Sequence, residues 1–235
     1  DDSSRPVLRL LAKHKQSASA LGLVGREAER AKIVSVFESF VSGEDSKTLY
    51  LTGENGVGKN LVLASSVAEL AEDHQGPDKF EMFEYEAGLF EAPYTACRGL
   101  VVSLREYFGG DLPHGLSGGA ADILNQLTSK RYEAQFTVDS LAFALIQLIN
   151  LLSADLQEGE ESRFLSLILG KISFWDPNSL AVLAKVYSYF GRSGNSKALF
   201  IFTENTSIVD ARMEERAEHL QAFKASALSD GGLVG

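Results

Sequence analysis

The chain has 235 residues, 45% of them hydrophobic, and 32 acidic against 22 basic side chains give it a formal charge of −10; this suits one α/β domain of moderate size with an ample core. Its Lys and Arg residues are scattered along the sequence, which excludes the basic face that a phosphate-tracking nucleic-acid binder needs. A single cysteine, Cys97, excludes an internal disulfide framework, and no Cys/His group has metal-ligand spacing.

Residues 1–22 are polar and mixed, with a short helix expected at 7–13, and read as a leader or linker. Residues 23–235 form the expected domain. They open with Leu23-Val24-Gly25-Arg26-Glu27-Ala28-Glu29, a turn that feeds an amphipathic helix carrying Ile33, Val34, Val36, Phe37, Phe40 and Val41. A loop at 42–46 hands over to a first strand at 48–52. The strand ends in the glycine-rich loop Gly53-Glu54-Asn55-Gly56-Val57-Gly58-Lys59, after which Leu61, Ala64, Val67, Ala68 and Ala71 recur as one buried helical face.

Beyond a break at 74–78, the alternating segment 79–87 predicts a second strand with Phe80 and Met82 inward. A turn at 91–93 is expected to start a helix through Tyr94, Leu100, Val101, Leu104 and Tyr107, with Pro93 in its first turn and Gly109-Gly110 at its end. Segment 93–153 reads as a helical insertion. It holds a short helix near 121–128 and a long one at 137–152, apolar nearly all round through Leu141, Phe143, Leu145, Ile146, Leu148, Ile149, Leu151 and Leu152. Burial inside the domain is expected for that helix, and it is expected to be too short for a membrane span. An acidic connector at 154–162 leads to 164–169, a continuous apolar run suited to a central parallel strand covered on both faces. Asp176-Pro177-Asn178-Ser179 then starts a helix at 180–190, with Asn178 or Ser179 as cap. A buried-type strand at 197–203, a polar helix around 209–217 and a last strand at 222–228 complete an α/β alternation, which argues for a mostly parallel sheet with right-handed crossovers. No signal-peptide pattern opens the sequence, so an intracellular, cytoplasmic setting is expected, and the abrupt ends suggest part of a larger chain.

Strand, glycine loop and helix stand in the order that a phosphate-binding loop requires. Glycines let backbone N–H groups turn inward around a polyphosphate, the helix N-terminus adds the positive end of its dipole, and Lys59 reaches the outer phosphates. Where the full motif carries a Ser or Thr hydroxyl for Mg²⁺, this chain has Asn60, whose amide oxygen is the candidate Mg²⁺ ligand in its place. Hydrolysis would further need an acid that holds the ion and a group that positions water, normally at the carboxyl end of a central strand. The exit of strand 164–169 is Gly170-Lys171, without a carboxylate. Asp176 is the nearest acid on that loop and the catalytic candidate, with a helix-start role as the competing reading. Thr203 and Asn205 end the neighbouring strand, where they could touch a γ-phosphate, with simple strand termination as the competing reading. His14, His74, His114 and His219 are isolated, and Cys97 reads as a small core residue.

These segments resemble the AAA-related, STAND-type P-loop ATPase domain that follows the cyclase domains of soluble adenylyl cyclases and occurs in related bacterial signalling regulators. The resemblance covers about 23–228 and rests on the Leu23-Val24-Gly25-Arg26-Glu27 box, the GENGVGKN loop, Pro93-Tyr94-Thr95-Ala96-Cys97-Arg98 and Phe174-Trp175-Asp176-Pro177-Asn178-Ser179-Leu180. It implies an AAA-like P-loop NTPase fold, a three-layer sandwich. It further implies that Arg26 lies near an adenine and that Gly53, Glu54, Asn55, Gly56, Val57, Gly58, Lys59 and Asn60 cradle the phosphates of ATP. Counting back from Asp176-Pro177 aligns Gly170 and Lys171 with the family's acidic pair, and Asn205 stands where the family usually has an arginine. The expected function is a degenerate ATPase-like domain, a structural or regulatory module whose partners are other protein domains or subunits. The alternative is a working ATP switch on an attached cyclase-type domain, with Asn60 and Asp176 as substitute metal ligands. A small-molecule kinase would need a cationic lid, and the Arg-poor stretch 111–128 offers none.

Overall fold

The computed structural model of the protein describes residues 25–43, 48–72, 80–86, 92–129, 136–158, 162–192, 198–206, 213–228 and 232–234. The expected leader with its helix at 7–13, the first two residues of the Leu23 box, the break at 74–78, His14 and His74 lie outside the described residues. In chain order the elements are α1 Glu27–Val41, β1 Thr48–Leu51, α2 Lys59–Glu72, β2 Phe80–Glu86, α3 Thr95–Tyr107, α4 Gly118–Thr128 and α5 Val138–Gln157. They continue with β3 Phe164–Gly170, a 3-10 turn Ile172–Phe174, α6 Pro177–Arg192, β4 Ala198–Thr203, α7 Met213–Leu228 and β5 Gly232–Val234.

The strands form one sheet in the order β2-β3-β4-β1-β5, with every pair parallel. Parallel strands need crossovers that cover the faces, and alternate residues of each strand accordingly enter two separate cores. Leu49, Leu51, Met82, Ile168, Leu199 and Ile201 pack against Ile33, Phe37 and Phe40 of α1 and Val62, Leu63 and Val67 of α2. Tyr50, Phe83, Leu165, Leu167, Leu169, Phe200 and Phe202 pack against α3 to α7. The result is a three-layer α/β sandwich. Phe202 meets Phe223 of α7 edge to face at 4.9 Å and Tyr187 of α6 at 6.0 Å, a geometry that adds about 0.5–1.5 kcal/mol per pair beyond the buried area.

The long apolar helix is α5, whose Thr137 side chain and Ser140 side chain cap each other's backbone N–H reciprocally. Its Leu141, Leu145, Leu148 and Leu152 are buried in the core shared with β3 and α6, each contributing about 1.5–3 kcal/mol. Its length is a correction to the sequence reading: it runs for 20 residues and, among the described residues, is the one helix long and apolar enough to cross a bilayer. Burial within the sandwich, rather than shortness, is what accounts for its composition, although Phe143 is left 58% exposed.

Three boundaries also differ from the sequence reading. The expected last strand at 222–228 belongs to α7, and β5 is Gly232–Val234; Phe223 and Ala227 are both buried and four residues apart, the spacing of one helical face. Pro93 precedes α3 rather than entering its first turn, because Tyr94 adopts a left-handed conformation at φ 59° and the helix begins at Thr95. The residue capping α6 is Asp176, one position before Pro177, and not Asn178 or Ser179. Pro177 thus takes the first helical position, where its missing N–H costs nothing.

Cys97 is fully buried on α3, its N–H donating to Ser179 Oγ at 3.1 Å. Burial pushes its thiol up to about 12, so at neutral pH it carries almost no thiolate, the reactive form. An aromatic disulfide reagent is expected to leave the native protein unlabelled and to label one thiol per chain on denaturation. Rapid labelling of the native chain would contradict this packing.

Candidate glycine-loop site

The register sets the floor of the site. Leu51 pairs with Thr203, Leu169 with Phe202 and Glu86 with Gly170, so the carboxyl ends of β1, β4, β3 and β2 form one row. Open parallel sheets bind ligands outside this edge. From it the chain leaves β1 into the glycine loop, where Gly56 and Gly58 sit at φ 82° and 87°, conformations open to glycine and strained for other residues. Glu54, Asn55, Gly56 and Val57 are exposed at the rim, and Gly53, Gly58, Lys59 and Asn60 are half-buried.

Lys59 is the first residue of α2 and folds back into the loop. Its Nζ donates to Gly53 O at 2.9 Å and Glu54 O at 2.8 Å. Burial holds this ammonium below the usual lysine range, against the pull of the Glu204 charge. Arg26 reaches the same loop, donating to Val57 O at 3.4 Å while its other Nη pairs with Glu29 at 2.9 Å. The segment after β4 is laced to the loop through two backbone bonds, Glu204 N–H to Leu51 O at 2.9 Å and Thr206 N–H to Gly53 O at 3.1 Å. Thr203 is buried and its Oγ1 accepts the Lys171 N–H at 3.1 Å; Asn205, two residues past the end of the strand, is also buried. Lys59, Arg26 and the β4 exit are therefore brought to one loop.

Asn60 is committed differently from the sequence expectation. Its Nδ2 donates to Glu86 Oε1 at 3.0 Å, and Lys171 Nζ pairs with Glu86 Oε2 at 3.0 Å. Glu86 lies over Gly170: a Cβ at position 170 would fall 2.7 Å from Glu86 Cγ. Gly170 at the end of β3 thus makes room for a carboxylate from the neighbouring strand β2. Among the described residues no group of three or more His, Cys, Asp or Glu side chains is placed to hold a metal ion.

Asp176 is buried and serves two helix starts at once. Its Oδ1 accepts Tyr94 N–H at 2.8 Å and Ser179 N–H at 2.9 Å, and its Oδ2 accepts Ala96 N–H at 3.2 Å. These bonds cap α6 and tie the entry of α3 to it, which is the helix-start role.

Two acids that matter went unread in the sequence. Glu86 follows the alternation of β2 on the same face as Phe80, Met82 and Glu84, so its place at the strand end was available as a signal. Glu204, next to Thr203, accepts from Tyr50 OH at 3.0 Å and pairs with Lys224 Nζ of α7 at 2.5 Å. Burial and the Glu204 charge together push the Tyr50 phenol far up from its ordinary value. No protein-family model and no curated protein sequence matches this chain.

Proposed function

We propose that this chain is a degenerate P-loop ATPase-like domain of AAA-related type, which holds the polyphosphate of a nucleotide such as ATP and acts as a structural or regulatory module of a larger assembly. The observation that carries the reading is Lys59: its ammonium sits inside the curve of the glycine loop, on Gly53 O and Glu54 O, at the start of a helix. Phosphate oxygens arriving there would take over that ammonium and meet the N–H groups of the first turn of α2, which have no acceptor within the helix. Turnover that is absent or too slow to consume bound nucleotide follows from the rest of the site, where Gly170 carries no side chain, Glu86 is held by Asn60 and Lys171, and Asp176, beyond the 3-10 turn, is spent on three backbone N–H groups. A partner domain is supported by the open groove between α5 and α6, where Phe143 is 58% and Tyr189 46% exposed beside the Asp139–Lys185 ion pair.

Titration with ATP tests the phosphate site. Wild type is expected to bind saturably at micromolar concentration, and Lys59→Ala at least tenfold more weakly, a loss of about 1.4 kcal/mol or more. Equal affinity in the two proteins, or no saturable binding by folded wild type, would remove the phosphate-site reading.

A further inference from the structure

We propose that the phosphate cradle of this chain takes a nucleoside polyphosphate without a divalent cation, with the Lys171 ammonium supplying the positive charge in its stead. The inference rests on the phosphate-site reading above and concerns what completes that site. Mg²⁺ demands near-octahedral oxygen ligands and in nucleotide sites is usually held through one or two carboxylates. The residues here do not fit that demand. Position 170 cannot carry an acid while Glu86 lies over it. Both Glu86 oxygens already serve donors, one an ammonium 3.0 Å away. A carboxylate accepts and does not donate, so Asn60 must turn its NH₂ toward Glu86, and the amide atom beside the carboxylate is the one that no cation can use. A divalent ion seated on Glu86 would have to displace Lys171 or stand against its charge.

Lys171 is built to stay. Its backbone is left-handed at φ 52°, its N–H is fixed on Thr203 Oγ1 at 3.1 Å, and its side chain is tethered to Glu86. It leaves the sheet one residue beyond Gly170, next to the end of β4, whose following segment is bonded to the glycine loop. Its compact ammonium has three donors on a four-carbon stem, one engaged with Glu86 and the others available to phosphate oxygens. Lys59 and Lys171 thus bring two ammonium groups to the loop before any ion is added, Lys171 being paired with Glu86 and Glu204 with Lys224.

The test is calorimetric titration of the whole chain with ATP, in Mg²⁺ and in EDTA, for wild type, Lys171→Asp and Lys171→Asn, each checked for folding by circular dichroism. Asp and Asn both tolerate the left-handed backbone at this position. Wild type is expected to give dissociation constants within threefold in the two conditions. In EDTA both variants are expected to bind at least tenfold more weakly. Only Lys171→Asp, which offers a second carboxylate beside Glu86, is expected to tighten again with Mg²⁺, a response that a merely structural lysine would not produce. A tenfold or greater tightening of wild type by Mg²⁺, or unchanged affinity of both variants in EDTA, overturns this inference while leaving the phosphate site standing. No saturable binding by folded wild type in either condition overturns both.

Discussion

Asp176→Ala is expected to lower the unfolding free energy by about 4 kcal/mol. The carboxylate accepts from Tyr94, Ala96 and Ser179 N–H groups at 2.8 to 3.2 Å in a buried setting. Loss of a helix cap alone costs about 1 kcal/mol, up to about 2. Here α6 loses its cap and the backbone at the start of α3 loses its acceptors too, and a buried donor left without a partner costs about 1–3 kcal/mol. Tyr94 is already held at φ 59°, so the α3 entry has little freedom to find new acceptors. Asp176→Asn keeps one acceptor oxygen but presents an NH₂ to the remaining N–H, and a smaller loss of about 2 kcal/mol is expected. Urea unfolding resolves the series, and the alanine variant should melt about 10 °C lower. A loss below about 1 kcal/mol for Asp176→Ala would mean that the clamp between α3 and α6 does not form.

The second large effect is an asymmetry at the buried pair between Glu204 and Lys224. The Glu204 side chain is 6% exposed and the Lys224 side chain 26%, with 2.5 Å between their charged atoms. Lys224→Met removes the cation and strands a buried carboxylate, for which about 3 kcal/mol is expected. Glu204→Gln removes the charge that most needs a partner, keeps an oxygen for Tyr50 OH, and lets the more exposed lysine rehydrate; about 1 kcal/mol is expected. The Tyr50 bond at 3.0 Å does not rescue Lys224→Met, because a phenol donates a hydrogen bond without supplying charge. Equal losses, or a larger one for Glu204→Gln, would contradict the burial of the carboxylate as the controlling cost.

What the sequence reveals of this fold depends on how far apart the interacting residues lie. β4 is legible because all six of its residues are buried, and a strand covered on both faces reads as an unbroken apolar run. The glycine loop is legible because its geometry is local, from Gly53 to Asn60. The segment 222–228 is not legible, since its short run of mostly small and apolar residues, broken by Lys224, fits a period of 2 as well as 3.6 until Phe202 is known to sit under Phe223. The local helix-start role of Asp176 is legible from Asp176-Pro177-Asn178-Ser179, but Glu86 and the long-range bonds of Asp176 are harder still. Glu86 becomes a partner of Asn60 and Lys171 only once β2 lies in register beside β3, and Asp176 reaches across 80 residues of chain to Ala96. Roles made by tertiary pairing leave no periodic trace. That the exit of β3 carries no carboxylate could be read directly from Gly170-Lys171, but the Glu86 carboxylate that lies over Gly170 could not.

Single-turnover recovery of ATP tests the central claim most directly. Folded chain in excess is mixed with γ-labelled ATP, with Mg²⁺ and separately with EDTA, and the bound nucleotide is extracted over hours. Intact triphosphate retained by wild type, and not by Lys59→Ala, is the predicted result: a cradle that holds nucleotide and lacks the means to cleave it. Stoichiometric release of labelled phosphate by wild type within minutes, absent from Lys59→Ala, would contradict the account and make the chain a working ATPase.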